Sequence, residues 1–133
     1  MKWEVVFHDE FDEEFKALDE GLQDELLAHA ILLGDYGPNL GRPTVDTLSG
    51  SKYPNMKELR FNWEKEVWRV AFAFDPRRQA VLLVGGDKAG ADQRRFYKRL
   101  IHVADERFGR HLTHLSAERK SRKGKETGRG KKS

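Results

Sequence analysis

The pattern of apolar and polar positions at the start of the chain predicts one strand followed by two helices. Every second residue from Trp3 to Phe7 is apolar, which is typical of a β-strand with one buried face. Asp9 begins the first predicted helix, and Asp19 lies where its carboxylate could cap a second one. Apolar residues recur at helical spacing from Phe11 to Leu33, so the two helices are expected to pack as a hairpin.

A long loop and three strands are expected after the hairpin. Glycines and prolines are spread over the segment from Pro38 to Tyr53, which indicates a loop with at most a short strand near Val45 to Leu48. Polar turns then separate three apolar runs, so the chain should fold back on itself as an antiparallel meander, and Gly85-Gly86 should end the sheet. The predicted strands are Leu59–Trp63, Val67–Phe74 and Ala80–Val84.

The last apolar pattern predicts an amphipathic helix. Apolar residues recur every three or four positions from Asp92 to Leu115, and Gly109 is a point where the helix could bend or split. A chain of 133 residues is long enough for one ordinary core and too short for two comfortable domains. We therefore expect a single α+β domain over residues 1–116, with an N-terminal strand and helical hairpin, an antiparallel sheet meander and a C-terminal helix.

The composition excludes some kinds of site and indicates where in the cell the protein acts. The chain has no cysteine, so neither a disulfide framework nor a thiolate metal site can form. The longest apolar runs are far shorter than the roughly 20 residues needed to cross a bilayer, which argues against a membrane partner. Met1 and Lys2 lead directly into the strand pattern, and no cleavable signal is visible. A cytoplasmic protein is expected.

Positive charge is concentrated at the C-terminal end. The segment from Arg119 to Ser133 has eight Lys or Arg against Glu126 alone, a net charge of +7, which leaves 17 bases and 21 acids, or −4, for residues 1–118. This segment has no apolar residue, so we expect 117–133 to be a basic disordered tail. The tail could simply improve solubility, or it could bind a polyanion through counterion release. The candidate RNA-binding residues are Lys57, Arg119, Lys120, Arg122 and Lys123.

Three cations lie on or just after the consecutive predicted strands. Arg60 lies in the first strand, Arg69 in the second, and Lys88 follows the third. Because a guanidinium presents a rigid fork of donors that matches phosphate oxygens, such cations could converge into a phosphate cradle. The alternative is that each side chain extends to water from a sheet edge. Periodicity alone does not fix the strand register well enough to choose between the two.

Several other kinds of site are poorly supported. The glycine-rich stretch from Val84 to Gly90 lacks the GxxxxGK[ST] spacing of a nucleotide-hydrolysing loop and equally suits a tight turn between strand and helix. His111 and His114 share a helix face, but no carboxylate motif accompanies them, so no metal is expected. Serines near Ser51 have neither a GxSxG elbow nor a neighbouring histidine, which disfavours serine nucleophile chemistry.

Cleavage of RNA by its own 2′-hydroxyl needs only cations and proton carriers. A base removes the 2′ proton, cations stabilise the charge on the crowded phosphorus, and an acid protonates the departing 5′ oxygen. What the chain lacks is an obvious base at neutral pH, since a lysine or tyrosine would need a lowered pKa and a glutamate would need a pKa raised by burial. The possible proton carriers are Glu58, Asp87, Lys57 and Tyr97.

The same segments resemble the RelE/ParE superfamily of toxin-antitoxin toxins, and most closely its HigB branch, also described as phage Gp49-like proteins. The resemblance rests on the order and spacing of four short motifs and covers about Trp3 to Leu115. Two departures stand out, because Asp87-Lys88 replaces a lysine pair common in the family and no histidine falls in the site region. The motifs are LSGS at Leu48–Ser51, MKELR at Met56–Arg60, WRVAFAFDP at Trp68–Pro76 and LLVGGDKAG at Leu82–Gly90.

The resemblance implies a metal-independent endoribonuclease that cuts mRNA on the ribosome and needs no cofactor. By motif it assigns the catalytic positions to Arg60, Arg69 and Lys88, and to Tyr97 near the start of the final helix. It also implies a small helix-turn-helix antitoxin like HigA, which would neutralise the toxin and through which operator DNA would be bound. Two alternatives stay open: a non-enzymatic gyrase inhibitor like ParE, or a catalytically decayed relative that only binds nucleic acid.

Overall fold

The computed structural model describes residues 2–88, 90 and 92–132, with side chains as far as residue 122 in the last helix. The described chain forms five strands and three α-helices, with a short 3-10 turn at Gly37–Asn39. In chain order these elements are β1 (Glu4–Phe7), α1 (Asp9–Lys16), α2 (Glu20–Tyr36), β2 (Val45–Thr47), β3 (Lys57–Trp63), β4 (Glu66–Phe74), β5 (Gln79–Asp87) and α3 (Gln93–Lys132).

All five strands belong to one mixed sheet, in the order β1-β5-β4-β3-β2. The meander β3-β4-β5 is antiparallel, as predicted, and β2 adds to its outer edge in the short segment where a strand was expected. The opening strand β1 pairs in parallel with β5, with Val5 beside Ala80 and Phe7 beside Leu82. The predicted α+β architecture is therefore confirmed.

Helices cover both faces of the sheet because its central strands carry apolar residues on each side. The hairpin α1-α2 packs on one face, where Phe11, Leu26 and Leu33 are buried against β3, β4 and β5. Helix α3 packs on the other face through Leu100, Ala104 and Phe108. Full burial of such side chains stabilises the fold by roughly 1.5–3 kcal/mol each, so both helical layers are held mainly by apolar contact.

The helix starts are fixed by caps. Asp19 Oδ1 accepts a hydrogen bond from the Gly21 amide at 2.9 Å, which confirms the predicted start of α2. His8 caps α1 in the same way, because its Nδ1 accepts from the Glu10 amide at 3.2 Å. Each cap satisfies one amide that has no partner within its helix.

Two predictions about glycines are wrong. Gly85 and Gly86 do not end the sheet but lie inside β5, and a Cβ on Gly85 would come within 3.0 Å of the Trp68 ring, so glycine is needed there for close approach of that ring. Gly109 does not interrupt α3, which is continuous through this position. A Cβ at Gly109 would lie 2.9 Å from Tyr53 Oη, so this glycine makes room for the tyrosine.

Helix α3 extends beyond Leu115, where the apolar pattern stops. The residues that follow include good helix formers, and Arg77 Nη1 at the β4-β5 turn pairs with Glu118 Oε2 at 3.2 Å, which ties this part of the helix to the sheet. The expected boundary near residue 116 is therefore not a helix end. The side chain of Lys123 and those after it lie outside the described residues, and disorder of the tail stays a prediction.

A buried arginine connects α3 to the other helical layer. Arg107 donates to the Leu83 carbonyl at 2.7 Å and forms two hydrogen bonds to the Glu14 carboxylate, at 2.8 and 2.6 Å. Two parallel bonds to one carboxylate hold both groups in a fixed geometry. This contact fixes α3 against α1 as well as against the sheet.

Candidate active site

Two of the predicted cations meet in the middle of the sheet. Arg60 on β3 is the direct cross-strand partner of Arg69 on β4. Both side chains leave the sheet on the face covered by α3, because each lies two residues along its strand from Glu58 or Ala71, whose side chains are on that face. Like charges directly opposite each other are destabilising, so this pair requires a compensating anion.

Glu58 supplies that anion from within the fold. It lies two residues before Arg60 and therefore on the same face of β3, and it is only 4% exposed. Its Oε1 lies 3.8 Å from Arg60 Nε and 3.9 Å from Arg69 Nε. One carboxylate thus stands between two guanidinium groups and offsets part of their repulsion.

Tyr97 completes the cluster from the first turns of α3. Arg69 Nε donates to Tyr97 Oη at 2.7 Å, and Tyr97 Oη donates to Glu58 Oε1 at 3.0 Å. The guanidinium carbon of Arg69 also lies 5.7 Å from the centre of the Tyr97 ring and 5.9 Å from that of Phe96. A continuous hydrogen-bonded chain therefore joins β4, α3 and β3.

Burial is the largest influence on the pKa values of Glu58 and Tyr97 in this hydrogen-bonded chain. Burial raises the pKa of Glu58 above its usual value, although the hydrogen bond from Tyr97 and the charges of Arg60 and Arg69 oppose the shift. Burial also raises the pKa of Tyr97, and the neighbouring Glu58 charge and hydrogen bond raise it further. Tyr97 is accordingly a neutral phenol at neutral pH, and Glu58 holds a proton more readily than an exposed glutamate.

An open cavity of 480 Å³ lies beside the arginine pair, where β3 extends past β2. Arg60 donates from Nε and Nη2 to the Pro43 carbonyl, both at 3.3 Å, and Arg69 donates from Nη1 to the Val67 carbonyl at 3.1 Å. Among the described residues, no hydrogen bond uses Nη1 of Arg60 or Nη2 of Arg69. These donors are free to bind an anion. The cavity is lined by His29, Pro43, Thr44, Arg60, Phe61, Asn62, Val67 and Arg69.

The other predicted site residues are more dispersed. Lys88 lies just after β5 and donates to Gln93 Oε1 at 2.9 Å, and no contact within the described part of the chain joins it to the arginine pair. Lys57 lies on the opposite face of β3 from Glu58, since neighbouring strand residues point to opposite sides. Asp87 is exposed at the end of β5, opposite Trp68.

The basic residues of the tail are distant from the arginine pair. Arg119 lies 22 residues after Tyr97 on the same helix, or about 33 Å along its axis at the usual helical rise. Arg119 and Arg122 line a separate cavity of 510 Å³ with Arg77 and Leu115, and Lys120 is exposed. Arg119, Lys120 and Arg122 therefore form no single surface with the arginine pair.

Neither a metal centre nor a membrane span is found in the described part of the chain. No group of three or more His, Asp or Glu side chains is placed to hold a metal ion among the described residues. None of the described helices is both long enough and apolar enough to cross a membrane.

Comparison with known proteins identifies the family. The phage derived protein Gp49-like family matches residues 13–109, which is most of the chain. The chain belongs to the Gp49-like family. The predicted resemblance to phage Gp49-like proteins is confirmed by this match.

Two relatives of this Gp49-like protein come from Mycobacterium tuberculosis. "Putative toxin HigB2" is 44% identical over 107 residues, covering 78% of this chain and 52% of the relative. "Putative toxin HigB3" is 43% identical over 103 residues, covering 77% of this chain and 88% of the relative. The chain therefore spans about half of the first relative and most of the second.

A solved structure supports the fold of the Gp49-like chain. A double mutant of the E. coli toxin RelE, in the free state, matches with a TM-score of 0.53 and 11% sequence identity. The match covers 76% of this chain and 95% of that chain. At this identity the likeness concerns the fold alone.

Arg60, Arg69 and Lys88 were predicted to converge in the Gp49-like protein, and family resemblance added Tyr97 to their site. The structure brings Arg60, Arg69 and Tyr97 together around Glu58, whereas no contact among the described residues joins Lys88 to them. Glu58 was predicted only as one of several proton carriers, and its contact with the other three was missed. The available signal was strand alternation, which puts Glu58 and Arg60 on one face of β3. Tyr97 belongs to another element, so no local pattern could show that it reaches Glu58.

Proposed function

We propose that this protein is the toxin of a type II toxin-antitoxin system and that it cleaves mRNA held on the ribosome, without a metal ion. Family membership and the two relatives named as toxins support the toxin role. The observation that carries the nuclease proposal is the contact of Arg60, Arg69 and Tyr97 around Glu58, beside an open cavity.

The proposed reaction is attack by the ribose 2′-oxygen on the adjacent phosphorus. The bond from O2′ to phosphorus forms, the bond from phosphorus to O5′ breaks, and the products are a 2′,3′-cyclic phosphate and a 5′-hydroxyl. Arg60 and Arg69 would bind the phosphate oxygens through their free Nη donors and stabilise the charge that builds up on them. Lys88 is proposed as a further charge stabiliser.

Tyr97 is the proposed proton carrier. Its hydroxyl accepts a hydrogen bond from the Arg69 guanidinium at 2.7 Å and donates one to the Glu58 carboxylate at 3.0 Å, which holds it beside the arginine pair. A proton leaves O2′ and another joins O5′ during the reaction, so a group that both accepts and donates suits the site. No cofactor is required by this scheme.

The proposed partners follow from the same family. A small helix-turn-helix antitoxin like HigA would bind the toxin, and operator DNA would be contacted only through that antitoxin. The tail cations Arg119, Lys120, Arg122 and Lys123 would contact ribosomal RNA, with Lys57 as a further RNA contact. The protein would act in the cytoplasm, where ribosomes and mRNA are found.

Induced expression followed by mapping of mRNA 5′ ends tests this proposal. New 5′ ends that follow the reading frame are expected within minutes of induction, and they should be absent with Arg69→Ala. Arg77→Ala is the matched control, because Arg77 lies at the β4-β5 turn, at the other end of β4, and its side chain forms a surface ion pair with Glu118. DNA breaks without mRNA cuts would instead indicate gyrase inhibition, and neither kind of cut would indicate a binding protein.

A further inference from the structure

The arginine pair already holds an anion of its own. Oε1 of Glu58 lies within 4 Å of both guanidinium groups, at 3.8 and 3.9 Å, and the side chain is 5% exposed. A phosphate bound to the free Nη donors would place a second negative charge close to this buried carboxylate. Two anions near one another in a partly desolvated site repel strongly, so both do not easily remain charged.

We infer that Glu58 is a built-in counter-ion of the anion site, and that a phosphate bound to Arg60 and Arg69 is accompanied by one proton taken up at the Glu58 carboxyl. The inference deepens the proposed function and rests on it, since it concerns how that same site receives RNA. It assigns Glu58 a positioning role. The carboxylate offsets the repulsion between Arg60 and Arg69 in the empty site and becomes protonated when the substrate phosphate binds.

The groups that act on the Glu58 carboxyl come from four elements. Arg60 on β3 and Arg69 on β4 favour its ionised form, and so does the hydrogen bond from Tyr97 on α3. Burial and the charge of Asp46 on β2 favour its protonated form. Since the pKa of Glu58 is already raised in the empty site, a further anion raises it again. His29 on α2 also lines the cavity, beside the arginine pair.

Protonation of Glu58 would also change Tyr97. The Glu58 charge and its hydrogen bond are two of the causes that raise the pKa of Tyr97, whereas Arg69 lowers it. Once Glu58 is neutral, its charge no longer raises the pKa of Tyr97, whereas the charge of Arg69 still lowers it. Loss of the Glu58 charge acts to lower the pKa of Tyr97, whereas burial and the charge of the bound phosphate act to raise it.

The pH dependence of binding has a definite sign. Glu58 has one pKa in the free protein and a higher one in the complex with the anion. At a pH well above both, the carboxylate stays charged and the affinity for the anion is low and constant. As pH falls between the pKa of the complex and that of the free protein, affinity rises with one proton taken up per anion bound. Below the lower value, affinity is high and constant again.

Titration calorimetry with a 2′-O-methyl oligouridylate measures this coupling, because that RNA analogue cannot be cleaved. Heats recorded in two buffers of different ionisation enthalpy give the number of protons taken up per complex. We expect uptake approaching one proton for the unaltered protein and none for Glu58→Gln, which should bind about tenfold more tightly at neutral pH. Glu13→Gln, which changes an exposed glutamate of α1, is the matched control and should behave like the unaltered protein.

Tyr97→Phe keeps the inference testable if Glu58→Gln folds poorly. This variant keeps the carboxylate and removes a hydrogen bond that lowers the pKa of Glu58, so proton uptake should persist and move to higher pH. Uptake that is absent in the unaltered protein, or unchanged in Glu58→Gln and lost in His29→Gln, would overturn the inference. Because binding is measured without cleavage, a protein that takes up the proton but cuts no mRNA would refute only the nuclease proposal.

Discussion

Arg60 lies directly opposite Arg69 across strands β3 and β4, and the two guanidinium groups share the carboxylate of Glu58. The Arg60 side chain is 32% exposed and that of Arg69 is 11% exposed, and both line the cavity beside the pair. The cluster is therefore closed on the inside by Glu58 and Tyr97 and open on the outside to the cavity. This one-sided arrangement leads to the first prediction.

Arg69→Ala should abolish growth arrest and mRNA cutting while leaving the fold intact. The change removes a charge and the hydrogen bond to Tyr97 but little core volume, so an activity loss of about 100- to 1,000-fold is expected. Arg69→Lys should restore only part of the activity, because lysine lacks the guanidinium fork. Cleavage rates and circular dichroism spectra of both variants check this, and full activity of a soluble Arg69→Ala protein would contradict the assigned role.

Glu58→Gln should lower the pKa of the Tyr97 phenol. The substitution removes the charge that raises this pKa and keeps a side chain that can accept the Tyr97 hydrogen bond. Ultraviolet titration of phenolate absorbance checks the shift, and the signal of Tyr97 is obtained by subtracting the Tyr97→Phe protein. An unchanged or higher Tyr97 pKa would show that Glu58 does not control the phenol.

Asp75→Asn should destabilise the protein at neutral pH and much less in acid. Burial alone would raise the pKa of Asp75, but hydrogen bonds from His111, Gln79 and Arg77 outweigh it and lower this pKa below its usual value. A lowered carboxyl pKa stabilises the fold above the unfolded-state value, and this stability is lost as pH falls through the folded-state value. Urea unfolding at neutral pH should show a loss of about 1–3 kcal/mol.

The control for this prediction is Asp46→Asn. The pKa of Asp46 is also lowered, chiefly by the backbone hydrogen bond from Thr47, but its position on β2 is much more open to water. Its substitution should change the unfolding free energy only slightly. Equal losses for the two variants at neutral pH would show that the contacts of Asp75 are not special.

Gly109→Ala should destabilise the protein although alanine favours helices. The added Cβ would lie 2.9 Å from Tyr53 Oη, so either Tyr53 or α3 must shift. Gly41→Ala is the matched control, because nothing lies within 4 Å of a Cβ at that position. Thermal unfolding should show a lower midpoint for the first variant only, and Tyr53→Phe combined with Gly109→Ala should recover part of the loss.

Removal of residues 119–133 should weaken association with ribosomes. The lost segment carries a net charge of +7, so binding of the intact protein should fall steeply as salt rises, and that of the truncated protein should fall less. Co-sedimentation with ribosomes at several salt concentrations measures both slopes. Identical slopes would show that the tail does not contact RNA.

The fold was largely predictable because its signals are local. Apolar periodicity and the Asp19 cap identified the helices and the meander, since each element buries a regular face. The partner of β1 was not predictable, because parallel pairing with β5 joins segments more than 70 residues apart. The roles of Gly85 and Gly109 were missed for a similar reason: each makes room for an aromatic side chain that is distant in sequence, Trp68 and Tyr53 respectively.

The candidate site was predictable only in part. Arg60 and Arg69 could be named from strand patterns and from a family resemblance, but their direct opposition depends on the β3-β4 register, which the turn between the strands sets. The placement of Lys88 near Gln93 depends on where β5 ends, which is beyond the two glycines expected to end it. The shared carboxylate of Glu58 is a three-dimensional relationship among three elements.

One uninterrupted helix joins the phenol at one end of the molecule to the cations at the other. Because a helix advances about 1.5 Å and turns about 100° for each residue, the distance and the angle between any two side chains of α3 are fixed by the number of residues between them. A single inserted residue between Leu112 and Arg119 would swing the basic end to a new side and leave Tyr97 where it is. Relatives that bind the same target in the same way must therefore keep the number of residues between the tyrosine and the basic end of this helix.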